Sequence, residues 1–162
     1  MLSISHIELD YLHWLPNWKS RSIESLREEL TNTCKQLEKN EWVMDGNYLL
    51  NEKSRDHPCW DEMRYVIFLD FDFWLVFYRS WKRTLRRIWH REKICNGNVE
   101  TWTTLLQWKD CIPYWVIKVH HQQPKKVSVA LSQHPHVRWI HLRSPKECDE
   151  WLSMISQTIS KS

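Results

Sequence analysis

Apolar and polar positions along this chain follow two alternating periods. Residues 4–9 form a short apolar-rich run that closes on Asp10, and Trp42-Val43-Met44 a second that closes on Asp45. The run Tyr65-Val66-Ile67-Phe68-Leu69 is a third, and by composition the clearest buried strand; Asp70 ends it. Residues 137–142 form a fourth. Between these runs the period lengthens to that of a helix. Behind a Ser22 N-cap, Ile23, Leu26, Leu30 and Leu37 recur at helical spacing to about residue 39. The longest amphipathic pattern covers 72–92. Trp74, Phe77, Trp81, Leu85, Ile88 and Trp89 share one face there, and Arg79, Arg83, Arg87 and Arg91 share another. Residues 99–121 read as a helix broken or kinked near Pro113, and 124–132 as a short helix. Ser144 caps a last helix, opened by Pro145 and carrying Trp151, Leu152 and Ile155. Residues 11–19 read as an aromatic loop, and 49–62 as a polar stretch with a short helix before Pro58. The resulting order, β-α-β-α-β-α-α-β-α, implies an α/β fold with a parallel sheet and right-handed crossovers.

In such a sheet the carboxyl ends of the strands share one edge, where ligands of open α/β folds bind. Asp10, Asp45 and Asp70 all fall there. One acid after a strand is an ordinary helix cap, and that is the reading for Asp70 together with Asp72. For Asp10 and Asp45 the layout suggests a metal and phosphate site, since magnesium is held by one or two carboxylates plus substrate phosphates. The chain has only two glycines. Both fall in polar turns, Asp45-Gly46-Asn47 and Asn96-Gly97-Asn98, where positive φ or a close backbone approach is expected.

Composition narrows the class. With 162 residues, 42% of them hydrophobic and 27% charged, the chain suits one globular domain rather than a disordered segment. Twelve tryptophans are more than packing alone explains, so some are expected to cover a groove. Five cysteines without a C-x-x-C pair argue against a disulfide framework or a zinc site and favour a reducing, cytoplasmic setting. No signal peptide is visible, and the longest apolar runs, such as 73–78, are too short to span a bilayer. The histidines are scattered; His120, His121, His134 and His136 read as surface residues. No serine or cysteine sits in a nucleophile-elbow pattern.

Charge is uneven. Residues 79–93 hold seven basic groups and one acid, a net +6, whereas the whole chain is only +3, leaving −3 for the rest. The basic row has three readings: a solvated helix face, a contact for nucleic-acid phosphates, or a guanidinium clamp on a small phosphorylated substrate.

Several motifs in order resemble one group. Ile7-Glu8-Leu9-Asp10, Trp14 and Trp18, then Trp42-Val43-Met44-Asp45-Gly46-Asn47-Tyr48, Phe68-Leu69-Asp70, Arg83-Thr84-Leu85-Arg86-Arg87, Asn96-Gly97-Asn98 with Trp102, and Leu142-Arg143-Ser144-Pro145 look like the bacterial topology modulation proteins. These are small P-loop kinases related to adenylate kinase. The resemblance spans nearly the whole chain. It implies a three-layer P-loop NTPase-like parallel sheet with helices on both faces, a single domain over 1–162, and a lid-like basic arm at about 79–98. It implies ATP and Mg2+ as cofactors, with Asp45 as the acid near magnesium. Arg83, Arg86 and Arg87 would close over phosphates, joined by Arg91. Asp10, Trp14, Trp18, Asn47, Tyr48, Asn96, Gly97, Asn98 and Trp102 would line the acceptor side, and Arg143, Ser144 and Pro145 would lie by the adenine. The partner would be a nucleotide or other phosphorylated small molecule, with no membrane. The alternative is a non-catalytic module that binds nucleic acid or protein through the Trp- and Arg-rich helix.

The chain departs from this group at one point. Relatives place a strand, a G-x-x-G-x-G-K-[ST] loop and a helix before the first strand read above, and no such loop occurs in the 162 residues. The sequence is therefore read as N-terminally truncated, with the first strand, P-loop and first helix absent: incomplete, or a genuine shortened relative. In the shortened case the strands ending at Asp45 and Asp70 would pair directly, or a partner would supply the strand between them. Catalysis by these residues alone is expected to be impaired or absent.

Overall fold

The computed structural model describes residues 4–37, 41–54, 56–107 and 111–159. Strand β1 (Ser5–Glu8) runs directly into helix α1 (Leu9–His13). The short strands β2 (Trp14–Leu15) and β3 (Lys19–Ser20) flank a 3-10 turn at Pro16–Trp18, and helix α2 (Ile23–Gln36) follows. Strand β4 (Trp42–Asp45) leads through two 3-10 turns, Tyr48–Leu50 and Glu52–Ser54, to helix α3 (Cys59–Glu62). Next come β5 (Tyr65–Leu69), α4 (Phe73–His90), β6 (Lys93–Ile94), β7 (Asn98–Val99) and α5 (Trp102–Leu106). The chain closes with α6 (Ile112–Val119), α7 (Gln123–Gln133), β8 (Arg138–Leu142) and α8 (Pro145–Ile159).

These elements build two compact units. One holds residues 1–63 and 85–106, the other 64–84 and 107–162. In the first unit β1 and β4 pair in parallel, with Ile7 opposite Met44 and Glu8 opposite Asp45. Ile7 is buried, as are Leu9 and, on α2, Leu26 and Leu30. The alternation along the strand turns His6, Glu8 and Asp45 outward. Ser22 caps α2 as the sequence predicts, its hydroxyl accepting the Ser25 N–H at 3.1 Å. In the second unit β5 pairs with β8 in parallel, Tyr65 opposite Arg138 through Leu69 opposite Leu142. Val116, Val127, Ala130, Val137 and Leu142 are buried there.

The molecule is thus mixed α/β, with parallel and antiparallel strand pairs. The order of the major elements matches the hydrophobic pattern, but several details differ. Among the described residues the strands form two parallel pairs plus the small antiparallel pairs β2–β3 and β6–β7. Direct pairing of the strands ending at Asp45 and Asp70 is not found among the described residues. Tyr65, Ile67 and Leu69 lie on the exposed face of β5, 57%, 42% and 54% accessible, so that strand is covered on one side only. Residues 9–13 form α1, taking up Leu9 from the end of the predicted strand and residues 11–13 from the predicted loop. The polar stretch holds a short 3-10 helix before Pro58, Glu52–Ser54, and a further short helix, α3, after it. The helical stretch 99–121 is broken near Pro113 as the sequence implies: α5 ends at Leu106 and α6 starts at Ile112, with Pro113 in its first turn, where a missing N–H costs nothing. The predicted end of α2 near residue 39 falls outside the described residues.

Helix α4 departs furthest from its reading. Its buried positions are Ser80, Thr84 and Ile88, while Trp74 and Trp89 are 71% and 78% exposed. At the start of this helix Asp72 accepts the Trp74 N–H at 2.9 Å and is its cap. Asp70 is not a cap; its carboxylate meets His141 Nε2 at 2.9 Å.

Candidate functional site

The site grows from the hairpin around Pro16. Asn17 and Trp18 both adopt the left-handed region, with φ of 61° and 56°. For tryptophan that backbone is strained and must be held from outside. Asn98 on β7 holds it. Its side-chain carbonyl accepts the Trp18 N–H at 2.8 Å, while its amide donates to the carbonyls of Leu15 and Cys95 at 3.0 and 2.7 Å. The Trp18 indole N–H donates to the Val99 carbonyl at 3.2 Å. Asn96, itself left-handed at φ 58°, donates to the Tyr11 and Trp14 carbonyls at 2.7 and 2.6 Å. Asn96 and Asn98 therefore clamp the aromatic hairpin through its main chain.

The clamp gathers an aromatic cluster. The Trp14 and Trp18 rings meet edge-on at 5.6 Å. His13 sits 4.8 Å from the Trp14 ring and 4.6 Å from the Tyr48 ring. The Tyr48 hydroxyl donates to Asp10 Oδ1 at 2.7 Å. Burial, reinforced by that bond and the Asp10 charge, pushes the Tyr48 phenol well above its ordinary range, so it remains a neutral donor. Arg21 fixes the end of α1, its Nε–H donating to the Leu12 carbonyl at 2.9 Å and its own N–H to the His13 carbonyl at 2.9 Å.

The sequence points to Asp10, Trp14, Trp18 and Tyr48, and the structure brings these four together with Asn96 and Asn98. It passes over His13, which the loop reading of 11–19 hides; its position one helical turn after Asp10 is the signal that marks it. Asp45 lies on the exposed face of β1–β4, with His6 Nε2 3.4 Å from its Oδ1 and Glu8 3.8 Å from the other His6 nitrogen. Asn47 opens the 3-10 turn that carries Tyr48, and Gly97 lies in the turn between Asn96 and Asn98. Trp102, 54% exposed, begins α5 just after Thr101, whose hydroxyl accepts the Thr104 N–H.

The arginines take separate partners. Arg86 Nε lies 3.0 Å from Glu92, and Arg87 Nη1 donates to Glu100 Oε1 at 3.2 Å. Arg91 is left-handed at the helix end. Arg83 belongs to the second unit, as do Arg143, Ser144 and Pro145. There Ser144 accepts the Glu147 N–H at 3.2 Å while Glu147 accepts the Arg143 N–H at 2.8 Å, a reciprocal cap on α8. His120 in that unit is not a surface residue. It is partly buried, with Nε2 3.0 Å from the Phe71 carbonyl.

Among the described residues no group of three or more His, Cys, Asp or Glu side chains converges as a metal site, and no helix is long and apolar enough to cross a membrane. No protein-family model, curated protein or solved structure matches the chain.

The cluster makes stability depend on pH. Burial lowers the His13 pKa below 6.5, with the Asp10 charge opposing it. The unfolded chain therefore takes up this proton more readily than the folded one, and stability rises with pH through that window. Acidification from pH 7 to 5 is expected to lower the urea midpoint of the wild type, and His13→Gln to flatten that dependence. The measurement is a urea titration at each pH.

Proposed function

We propose that this chain is a relative of the small P-loop kinases and that its aromatic cluster holds the phosphoryl acceptor of a nucleotide-kinase-type transfer. The observation that carries this reading is the strand pairing. In the sheet the resemblance implies, one strand lies between those ending at Asp45 and Asp70, so each of the two has a single partner elsewhere. Among the described residues β4 takes only β1 and β5 takes only β8, both in parallel. The cluster supplies suitable chemistry for an acceptor. Trp14, Trp18 and His13 offer ring faces and edges for a base. Tyr48 is a neutral donor and Asp10 a partly engaged carboxylate at the carboxyl end of β1.

Asp45 fits magnesium only in part. It is a single exposed carboxylate, with Glu8 beside it in register. A hexacoordinate ion would have to complete its shell with water and substrate phosphates. Bound there, the ion would supply charge neutralisation between phosphate oxygens. The 162 residues contain no phosphate-cradling loop, so their contribution is to bind and orient the acceptor rather than to activate the donor.

Tryptophan fluorescence tests this reading. Nucleoside monophosphates are expected to quench it saturably, and Asp10→Asn with Tyr48→Phe to weaken binding about tenfold, the loss of one charge-assisted hydrogen bond. With Mg-ATP, turnover is expected to be slow or absent, and any turnover seen to be abolished by Asp45→Asn. Absence of saturable quenching overturns the proposal. A second reading rests on Trp89, 78% exposed beside exposed Leu85 and Arg86 on α4. Such a face can stack a base and contact phosphates of single-stranded nucleic acid. Oligonucleotide affinity that falls steeply with salt would favour it over the kinase reading.

A further inference from the structure

Two thiols face each other where α3 meets α2. Cys34 Sγ and Cys59 Sγ are 3.3 Å apart, though 25 residues separate them in sequence. The contact is held in place by a buried histidine. His57, 2% exposed, accepts the Cys59 N–H at its Nδ1, 3.2 Å away. With Nδ1 an acceptor, the ring proton resides on Nε2, which lies 3.1 Å from the Arg27 carbonyl and 3.2 Å from Thr31 Oγ1. Arg27 in turn donates to the Lys53 carbonyl at 2.8 Å and to the Asp56 carboxylate. The segment leading into α3 is thus pinned to one face of α2, and Cys59 is presented to Cys34.

The two thiols are not equivalent. Cys59 is buried and Cys34 is half-exposed. A hydrogen bond from Cys59 lowers the Cys34 thiol below its ordinary value, against burial and the Glu62 charge. The same bond and burial push Cys59 up. Cys34 is therefore the thiol that meets solvent and is placed to react first, and Cys59 the buried one behind it.

We propose that Cys34 and Cys59 are a peroxide-reactive dithiol that closes reversibly into a disulfide. The Cys34 thiolate attacks one oxygen of a hydroperoxide. The O–O bond breaks, hydroxide leaves and is protonated to water, and Cys34 becomes a sulfenic acid. Cys59 then gives up its proton and its sulfur attacks Cys34. The S–S bond forms, the S–O bond breaks, and the departing hydroxide takes that proton as a second water. The balance is two thiols and hydrogen peroxide to one disulfide and two waters. The sulfurs stand 3.3 Å apart, and disulfide formation brings them to about 2.05 Å. A small thiol restores the reduced pair by exchange.

The test uses the full reduced chain and one equivalent of hydrogen peroxide, followed by alkylation, digestion and peptide mapping. Free thiols are expected to fall from five to three, with Cys34 and Cys59 linked and dithiothreitol restoring both. In Cys59→Ser, Cys34 should remain a sulfenic acid that dimedone traps. In Cys34→Ser, peroxide consumption should slow at least about tenfold. The proposal fails if Cys95, Cys111 or Cys148 is oxidised first, if Cys34 and Cys59 stay unlinked, or if Cys34→Ser consumes peroxide at the wild-type rate. The mapping on the wild type stands even where a variant does not fold.

Discussion

Arg87→Met will destabilise the unit that holds residues 1–63 and 85–106 by about 3 kcal/mol, the scale of breaking one side of a buried ion pair. The Glu100 side chain is 8% exposed and the Arg87 side chain 22%, so their contact is largely out of water. It is also incompletely satisfied, because Arg87 Nε and Glu100 Oε2 are both buried with no hydrogen-bond partner. Removing Arg87 leaves a buried carboxylate with neither charge nor donor opposite it, which dominates over the loss of a single 3.2 Å bond. Removing both partners together reverses the balance. Arg87→Met with Glu100→Leu should regain most of the lost stability, since two desolvated charges are replaced by apolar packing. Urea midpoints of the wild type, both single variants and the double variant give the coupling directly. Additive effects would show that the pair is not coupled. A phosphate clamp built on Arg87 would predict something else: lost ligand affinity with stability unchanged.

That pairing also shows where the sequence stops being informative. The spacing of Arg79, Arg83 and Arg87 places them on α4, while Arg91 falls just beyond the helix in a left-handed turn. Spacing does not say which arginine meets an acid, because Glu100 lies thirteen residues away across the β6–β7 hairpin. The same limit explains α4's apolar positions. Trp74 and Trp89 satisfy a helical period but stay exposed, whereas Ser80 and Thr84 are buried. An amphipathic pattern states which residues can share a face, and tertiary partners decide which face is covered. Signals that act within a few residues are legible: Ser22 before α2, Asp72 at the start of α4, and Ser144 with Pro145 opening α8. The sequence marks both Asp10 and Tyr48, but their direct bond depends on the register of β1 with β4, which places Glu8 opposite Asp45. Local chemistry cannot set that register. His13 escapes the sequence because the loop reading of 11–19 hides its helical step from Asp10.

Gly46→Ala is expected to cost about 2–4 kcal/mol, combining backbone strain with a core clash. Gly46 has φ +125°, a region essentially reserved for glycine. A Cβ built there would lie 2.8 Å from Leu9 Cβ and 3.2 Å from Leu9 Cδ1. The nearer atom is fixed to the backbone, and Leu9 is 1% exposed, so neither rotation nor displacement relieves the overlap cheaply. The consequence reaches the site, because Leu9 begins the helix that bears Asp10 and Gly46 joins Asp45 to the turn that bears Tyr48. Movement of either side lengthens the 2.7 Å bond between Tyr48 and Asp10. Gly97 is the control. It too is left-handed, at φ +79°, but nothing lies within 4 Å of the added carbon. Gly97→Asn should therefore cost less than about 1 kcal/mol, since asparagine tolerates that backbone best. Thermal and urea unfolding of the two variants separate the contributions. A much larger loss at Gly46 is the expected outcome, from its φ of +125° together with the approach of Leu9; equal losses at both positions would show that neither matters as argued.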